Sequence, residues 1–215
     1  MSEIHISTVN FLEELKKLFG KRKVDSPLST EEKIEAAVIA FREAYGRMVT
    51  HGLVLMELGD ADGNYKLVSA RPNLITQVGD QYYGERAAGI SSPPGQVTGM
   101  RLGTGGATAA SKTGAGAAIV TYLTASQKAI DGSYPTSALN GSSRRITFRT
   151  SYAAGEATGN GINECVLTNE SPLTNVAGAA ANTIARADNT LVTPTVNKGA
   201  SDTLTVTWHH DLLGA

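Results

Sequence analysis

Three patterns in this sequence contain residue types that could do chemistry. The first, LGTGGATAASKTG at 102–114, combines glycines with a Lys-Thr pair, as phosphate-binding loops do. Such a loop needs Gly directly before the lysine so that the backbone can wrap the phosphates, but Ser111 precedes Lys112 here. The segment therefore predicts a Gly/Ala loop between strands and no nucleotide site.

The second pattern alternates oxygen ligands in the manner of a calcium loop. Asp60, Asp62 and Asn64 flank Gly63. The EF-hand register needs its glycine after the third ligand and an acidic residue at its end, and neither is present. This segment predicts a tight turn.

The third pattern is the adjacent pair His209 and His210. Neighbouring side chains of a strand point to opposite faces, so this pair cannot hold one ion side by side. Cys165 lies in the alternating run INECVLTN, which predicts a buried structural cysteine and not a nucleophile. We therefore predict no metal, no cofactor and no catalytic residue.

Tyrosines are the remaining candidates for ligand contact, because their rings could stack on sugars. Strand tyrosines usually pack against neighbours, so carbohydrate binding is the weaker alternative. No Ser-His-Asp arrangement or marked carboxylate pair is present, and the chain is predicted not to be an enzyme. The tyrosines concerned are Tyr82, Tyr83, Tyr122, Tyr134 and Tyr152.

Composition narrows the class of protein. The 215 residues carry a formal net charge of -1, and only 18% are charged, which argues against free-standing nucleic-acid binding. No window approaches the roughly 20 apolar residues that span a bilayer, so no membrane partner is expected. The N-terminus lacks the apolar core of a secretory signal, and the single cysteine fits synthesis in a reducing cytosol.

The elements that must position these residues change character along the chain. Apolar residues recur at helical spacing in two N-terminal segments, which predicts two amphipathic helices, the second over about 30–49. Their apolar stripes need a partner face, so we predict that they form assembly contacts. The contact residues are Phe11, Leu15 and Leu18 on the first helix and Ile34, Val38, Phe41 and Tyr45 on the second.

Beyond these helices the periodicity becomes that of strands. A β-hairpin is predicted over 53–70, a helix from Asn73, and then short strands separated by turns. In the last strand, Leu204, Val206 and Trp208 alternate with threonines and are predicted to be core residues. The predicted strands are 98–102, 118–123, 145–151, 163–168, 183–187 and 203–209.

These elements predict an α+β fold class. N-terminal helices would precede a C-terminal antiparallel β-sandwich or jelly-roll-like module. The division into domains is predicted at 1–70, a helical and hairpin docking region, and 71–215, the β-sandwich module.

The order of segments from Asn73 to Ala215 resembles a module that recurs in virion proteins of tailed bacteriophages. The segments are LGTG, the AGEATG turn, a strand with an I-x-E pattern and the final K-G-x-x-D-T-L-x-V-x-W strand. The resemblance implies a structural virion component that acts by protein–protein assembly, as a head-surface accessory or as a neck, tail or fibre-attachment protein.

The expected partners are other virion proteins and further copies of the same chain. The chain would be made in the host cytoplasm and located in the virion. The alternative functions are a host-recognition module that binds cell-surface carbohydrate and, third, an enzyme such as a glycan hydrolase, for which the sequence marks no pair of carboxylates.

Overall fold

The computed structural model describes residues 50–105, 108–141, 143–188 and 195–213. In these ranges 45% of the residues are in strands and 12% are helical, so the fold is mainly β. The predicted α+β class is therefore wrong. The two predicted N-terminal helices lie outside the described residues, and the described part contains one α-helix.

Twelve strands and one α-helix make up the described chain, and all the strand pairings are antiparallel. The helix is α1 (Gln77–Ala87), and short 3-10 turns span Gly114–Ala117 and Ala180–Asn182. The strands are β1 (Thr50–Gly59), β2 (Tyr65–Pro72), β3 (Leu74–Ile75), β4 (Gly99–Gly103), β5 (Lys128–Ala129), β6 (Thr136–Asn140), β7 (Ser143–Tyr152), β8 (Gly159–Ile162), β9 (Glu164–Thr168), β10 (Thr183–Ala187), β11 (Val196–Lys198) and β12 (Thr203–Leu213).

The strands form two five-stranded sheets and one small sheet. Sheet A has the order β2-β1-β12-β7-β6, sheet B has the order β3-β10-β9-β4-β5, and β8 pairs with β11. The predicted hairpin over 53–70 is present as β1 and β2, and β1 pairs with β12 along its whole length. The predicted domain division between residues 70 and 71 falls within β2, inside a compact unit that runs from Val49 to Ala215.

One hydrophobic core takes side chains from both large sheets. Leu204, Val206 and Trp208 of β12 are 0% exposed, and the alternation of the strand places all three on the same face. Their neighbours in sheet A include Val54 and Phe148. Sheet B contributes Met100, Leu102, Cys165, Leu167 and Ala185 to the same cluster. The two inner faces therefore share one core, as in a β-sandwich.

The predicted strand at 118–123 is absent, and the cause is local. Tyr122 makes a single bridge to Gly103, and the segment is otherwise irregular. The backbone N–H groups of Val120 and Thr121 donate to the carboxylate of Glu164 and not to a neighbouring strand. The segment still follows β4, because Thr104 N–H donates to the Thr121 carbonyl at 2.8 Å and Leu123 N–H donates to the Leu102 carbonyl at 3.0 Å, but it does not continue as a regular strand.

The predicted helix begins four residues later than expected. Residues 74–75 form β3, which pairs with β10, and Thr76 then caps α1 by accepting a hydrogen bond from Gly79 N–H at 3.1 Å. Asn73, the predicted first residue, is buried beside His210. The competing strand pairing accounts for the later start.

Candidate functional site

A buried ion pair fixes the long loop that follows β4. Arg186 Nη2 on β10 lies 2.9 Å from Glu164 Oε2 on β9, and both side chains are 0% exposed. The same carboxylate accepts hydrogen bonds from the backbone N–H groups of Gly105 at 2.9 Å, Val120 at 3.0 Å and Thr121 at 2.8 Å. Two adjacent strands of sheet B therefore hold both ends of this loop.

The same loop makes further contacts with both charged side chains. Arg186 donates to the carbonyls of Gly116 at 3.0 Å and Thr108 at 2.8 Å. A Cβ at Gly103 or at Gly105 would lie 2.6 Å from Glu164 Oε1, so only glycine allows this approach. The LGTG and I-x-E patterns therefore have a shared structural role. They place a buried carboxylate in hydrogen-bond contact with the loop.

The lysine of the phosphate-loop-like segment also has a structural role. Lys112 Nζ lies 2.7 Å from Asp80 Oδ2 in the first turn of α1, and the Lys112 carbonyl accepts from Gln77 N–H at 2.9 Å. Both side chains of the ion pair are largely exposed. The segment thus meets the N-terminal end of α1 through an ordinary surface contact.

A second charged turn links the AGEATG segment to the end of β11. Lys198 is 1% exposed, and its ammonium donates to the carbonyls of Ala153 at 3.1 Å and Asp202 at 2.6 Å. Asp202 Oδ2 accepts from Gly199 N–H at 2.7 Å, and Gly155 N–H donates to the Ala200 carbonyl. The K-G-x-x-D pattern is therefore a closed turn that orients the start of β12.

The calcium-like pattern forms the turn between β1 and β2. Asp60 Oδ1 accepts from the N–H groups of Asp62 at 3.0 Å and Asn64 at 2.9 Å, and the Asn64 amide donates to Asp60 Oδ2 at 3.1 Å. Gly63 has a φ of +82°, which favours glycine. The expected tight turn is confirmed, and it already uses the oxygens that a cation would need.

Adding EDTA or excess Ca²⁺ is expected to leave the melting temperature of the protein unchanged. The reason is that Asp60 is satisfied by its own turn, and a metal bound only to the folded state would have to stabilise it. Calorimetry with and without each additive measures this. A fall in melting temperature on chelation that Ca²⁺ reverses would contradict it.

The two histidines lie on opposite faces of β12, as the alternation predicts. His210 is 0% exposed; Asn73 Nδ2 lies 3.0 Å from its Nε2, and the Tyr83 hydroxyl is hydrogen-bonded to its Nδ1. His209 is half-buried, with Nδ1 3.0 Å from Thr147 Oγ1. Burial lowers the pKa of His210 to about 3 and that of His209 to about 4, so both rings are neutral at pH 7.

Lowering the pH from 7 to 5 is expected to reduce the free energy of unfolding by up to about 2 kcal/mol through His210 and by a similar amount through His209. Their folded pKa values lie below the ordinary 6.5, so the unfolded chain takes up the protons first. The stability they contribute is present above about pH 6.5 and is lost as the pH falls towards the folded values. Urea midpoints at pH 7, 6 and 5 measure it, and a constant midpoint would contradict it.

Cys165 and most of the tyrosines are part of the packing. Cys165 is 0% exposed, and burial raises the pKa of its thiol. Tyr82 and Tyr152 are 8% and 1% exposed. The Tyr122 hydroxyl bonds to Gln127 and Asn175, and the Tyr134 ring lies under the Arg149 guanidinium. The tyrosines considered for sugar stacking thus form no open aromatic platform.

The edge of sheet A at β6 is the surface best suited to contact another molecule. Thr136, Ser137, Ala138 and Leu139 are exposed, and Leu139 is 74% exposed. In the described chain β6 pairs on one side only, with β7. An unpaired edge presents backbone donors and acceptors to an added strand.

The other edges of sheets A and B carry features that oppose strand addition. β2 contains Lys66 and ends at Pro72, and its pairing with β1 is broken by a bulge at 56–57. β3 and β5 are two residues long. Charge, proline, bulges and shortness all discourage edge pairing, and β6 has none of them between its first and last residue.

The residues predicted from the sequence to form assembly contacts are different ones. The predicted contact residues of the two N-terminal helices lie outside the described residues. Sequence reasoning overlooked β6 because TSALN has neither an apolar run nor clear alternation. Arg186 was overlooked as well, since its partner Glu164 is 22 positions away. The I-x-E pattern marked Glu164, but nothing local marked the arginine.

In the part of the chain that the structure describes, no three His, Cys, Asp or Glu side chains come together to hold a metal. None of its helices has the length and apolar character to cross a bilayer. Comparison with known proteins found no matching family, no matching curated protein and no matching solved structure.

Proposed function

We propose that the chain is a structural component of a tailed-phage virion and acts by protein–protein assembly. The observation that carries the assembly role is the exposed, uncharged edge of β6, next to the 74% exposed side chain of Leu139. The outward N–H and C=O groups of such an edge bond to water and are free to exchange it for an added strand. The virion setting rests on the resemblance of the segment order over Asn73–Ala215.

The contacts within the fold support a role that depends on a fixed shape. The resembling segments place Glu164 and Lys198 in buried positions, where each holds a loop or turn by several hydrogen bonds. A buried charge that is satisfied in this way rigidifies its surroundings. A particle made of many copies needs such rigidity, because the contacts must repeat with the same geometry.

Repetition also allows each contact to be weak. A five-residue strand edge is small for a stable complex of two proteins in solution. When many copies are held on one particle, the effective concentration of each contact rises, and weak contacts persist. The proposed role therefore needs no large apolar interface on the described surface.

The test is quantitative mass spectrometry of purified virions of the phage that encodes the chain, with isotope-labelled peptides as standards. We expect the chain to co-purify with the major capsid protein at a fixed ratio. Hundreds of copies would indicate the head surface, and about a dozen or fewer would indicate the neck, tail or fibre attachment. A replication enzyme of the same phage serves as the control for contamination. A copy number per virion no higher than that of the control enzyme would contradict the proposal.

A further inference from the structure

We propose that β6 pairs with the β6 strand of a second copy of this chain, antiparallel about a two-fold axis at Ala138. The inference rests on the proposed assembly function and names the partner and the mode of contact. Sheet A of one copy would then continue into sheet A of the next. Such a pairing is isologous, because the same surface is used on both sides.

The register of the hairpin determines which backbone groups of β6 are available. Two residues separate Asn140 from its partner Ser143, so this flanking pair is the hydrogen-bonded one in a two-residue hairpin. Alternation then directs the N–H and C=O groups of Thr136 and Ala138 towards β7. Those of Ser137 and Leu139 point outward, to the edge.

A second copy satisfies these outward groups symmetrically. With Ala138 on the two-fold axis, Ser137 of each copy lies opposite Leu139 of the other, and both pairs exchange backbone hydrogen bonds. Thr136 lies opposite Asn140. The small Ala138 side chains face each other at the non-hydrogen-bonded position, where side chains approach most closely.

The composition of the strand favours a copy of itself over a charged partner. The strand TSALN has no ionisable side chain, so self-pairing places no like charges opposite each other. In each copy Leu139 shares its face with Ser137 and with Arg144 and Ile146 of β7. Across the two-fold axis the exposed Leu139 would cover Ser137 of the other copy and extend towards its half-buried Ile146.

Cysteine cross-linking tests this register in the full-length protein. Ala138→Cys places two thiols on the axis, at about 4.5 Å between Cα atoms, within the range for a disulfide. Thr136→Cys is the matched control, because its two copies lie four residues out of register and about 13 Å apart along the strand. The native Cys165 is buried and should not react.

Under mild oxidation we expect at least about tenfold more disulfide dimer from Ala138→Cys than from Thr136→Cys or the unaltered protein, at equal concentration. Melting temperatures of the variants, compared under reducing conditions, confirm that both are folded. Equal dimer yields from the two variants would overturn the proposed pairing, and cross-linking only through Thr136→Cys would do the same.

The same oxidation on purified virions carrying each variant separates the two proposals. A chain that is abundant in virions and cross-links to a different protein, or not at all, overturns the β6 pairing and leaves the virion role intact. A chain that is absent from virions but forms the Ala138→Cys dimer in solution overturns the virion role and leaves the pairing intact.

Discussion

Glu164→Ala is expected to lower the free energy of unfolding by about 3 to 5 kcal/mol. The substitution leaves the Arg186 guanidinium buried without its carboxylate, and it removes the acceptor for three backbone N–H groups. A buried charge that loses its partner retains the full cost of desolvation. Urea unfolding at pH 7, followed by tryptophan fluorescence, measures the loss.

The matched control removes an exposed ion pair that joins the same loop to α1. Asp80→Ala breaks the contact with Lys112, whose side chain is 44% exposed, and is expected to cost less than about 1 kcal/mol. Hydrogen exchange adds a local readout, because the amides of Val120 and Thr121 should exchange faster in Glu164→Ala only. Similar losses in the two variants would show that the buried pair does not hold the loop.

Trp208→Ala is expected to cost about 3 to 5 kcal/mol, because it leaves a large cavity where the two sheets meet. The side chain is 0% exposed, and its Nε1 has no hydrogen-bond partner among the described residues. Trp208→Phe should therefore cost less, since it keeps an aromatic ring in the core and loses no hydrogen bond. The measurement is thermal unfolding of the full chain, because β1 and β2 are part of the same sheet.

Thr205→Ala is the control on the same strand. Its side chain points away from the core and is half-buried, so the loss should stay below about 1 kcal/mol. A Trp208→Ala variant as stable as Thr205→Ala would contradict the position of Trp208 in the core.

The alternation of apolar and polar residues predicted the strands that have one face buried in the core. The alternation of leucine, valine and tryptophan with threonine predicted β12, and the predicted strand over 183–187 matches β10 at both ends. The hairpin was predicted from its turn, but its place in sheet A was not. A strand's partner about 150 residues away is decided by packing and leaves no local signal, so β1 was assigned to a separate region.

The candidate contact surface was harder to predict than the core. β6 consists of small and polar residues, and only its pairing with β7 shows it to be a strand. The segment 118–123 shows the opposite error, because its apolar residues suggested a strand while the N–H groups of Val120 and Thr121 bind a carboxylate. Buried charges redirect backbone hydrogen bonds, and a periodicity of hydrophobic residues does not reveal this.

The central position of β12 in sheet A has a consequence for the order in which the chain can fold. β12 lies between β1 and β7, so neither of those strands meets the other directly, and sheet A cannot close until residues 203–213 have been synthesised. Contacts between distant parts of a chain form slowly, because the intervening loop must close first. A ribosome-bound fragment that ends before β12 would therefore lack a completed sheet A, and β1 would have only β2 as a neighbour in that sheet.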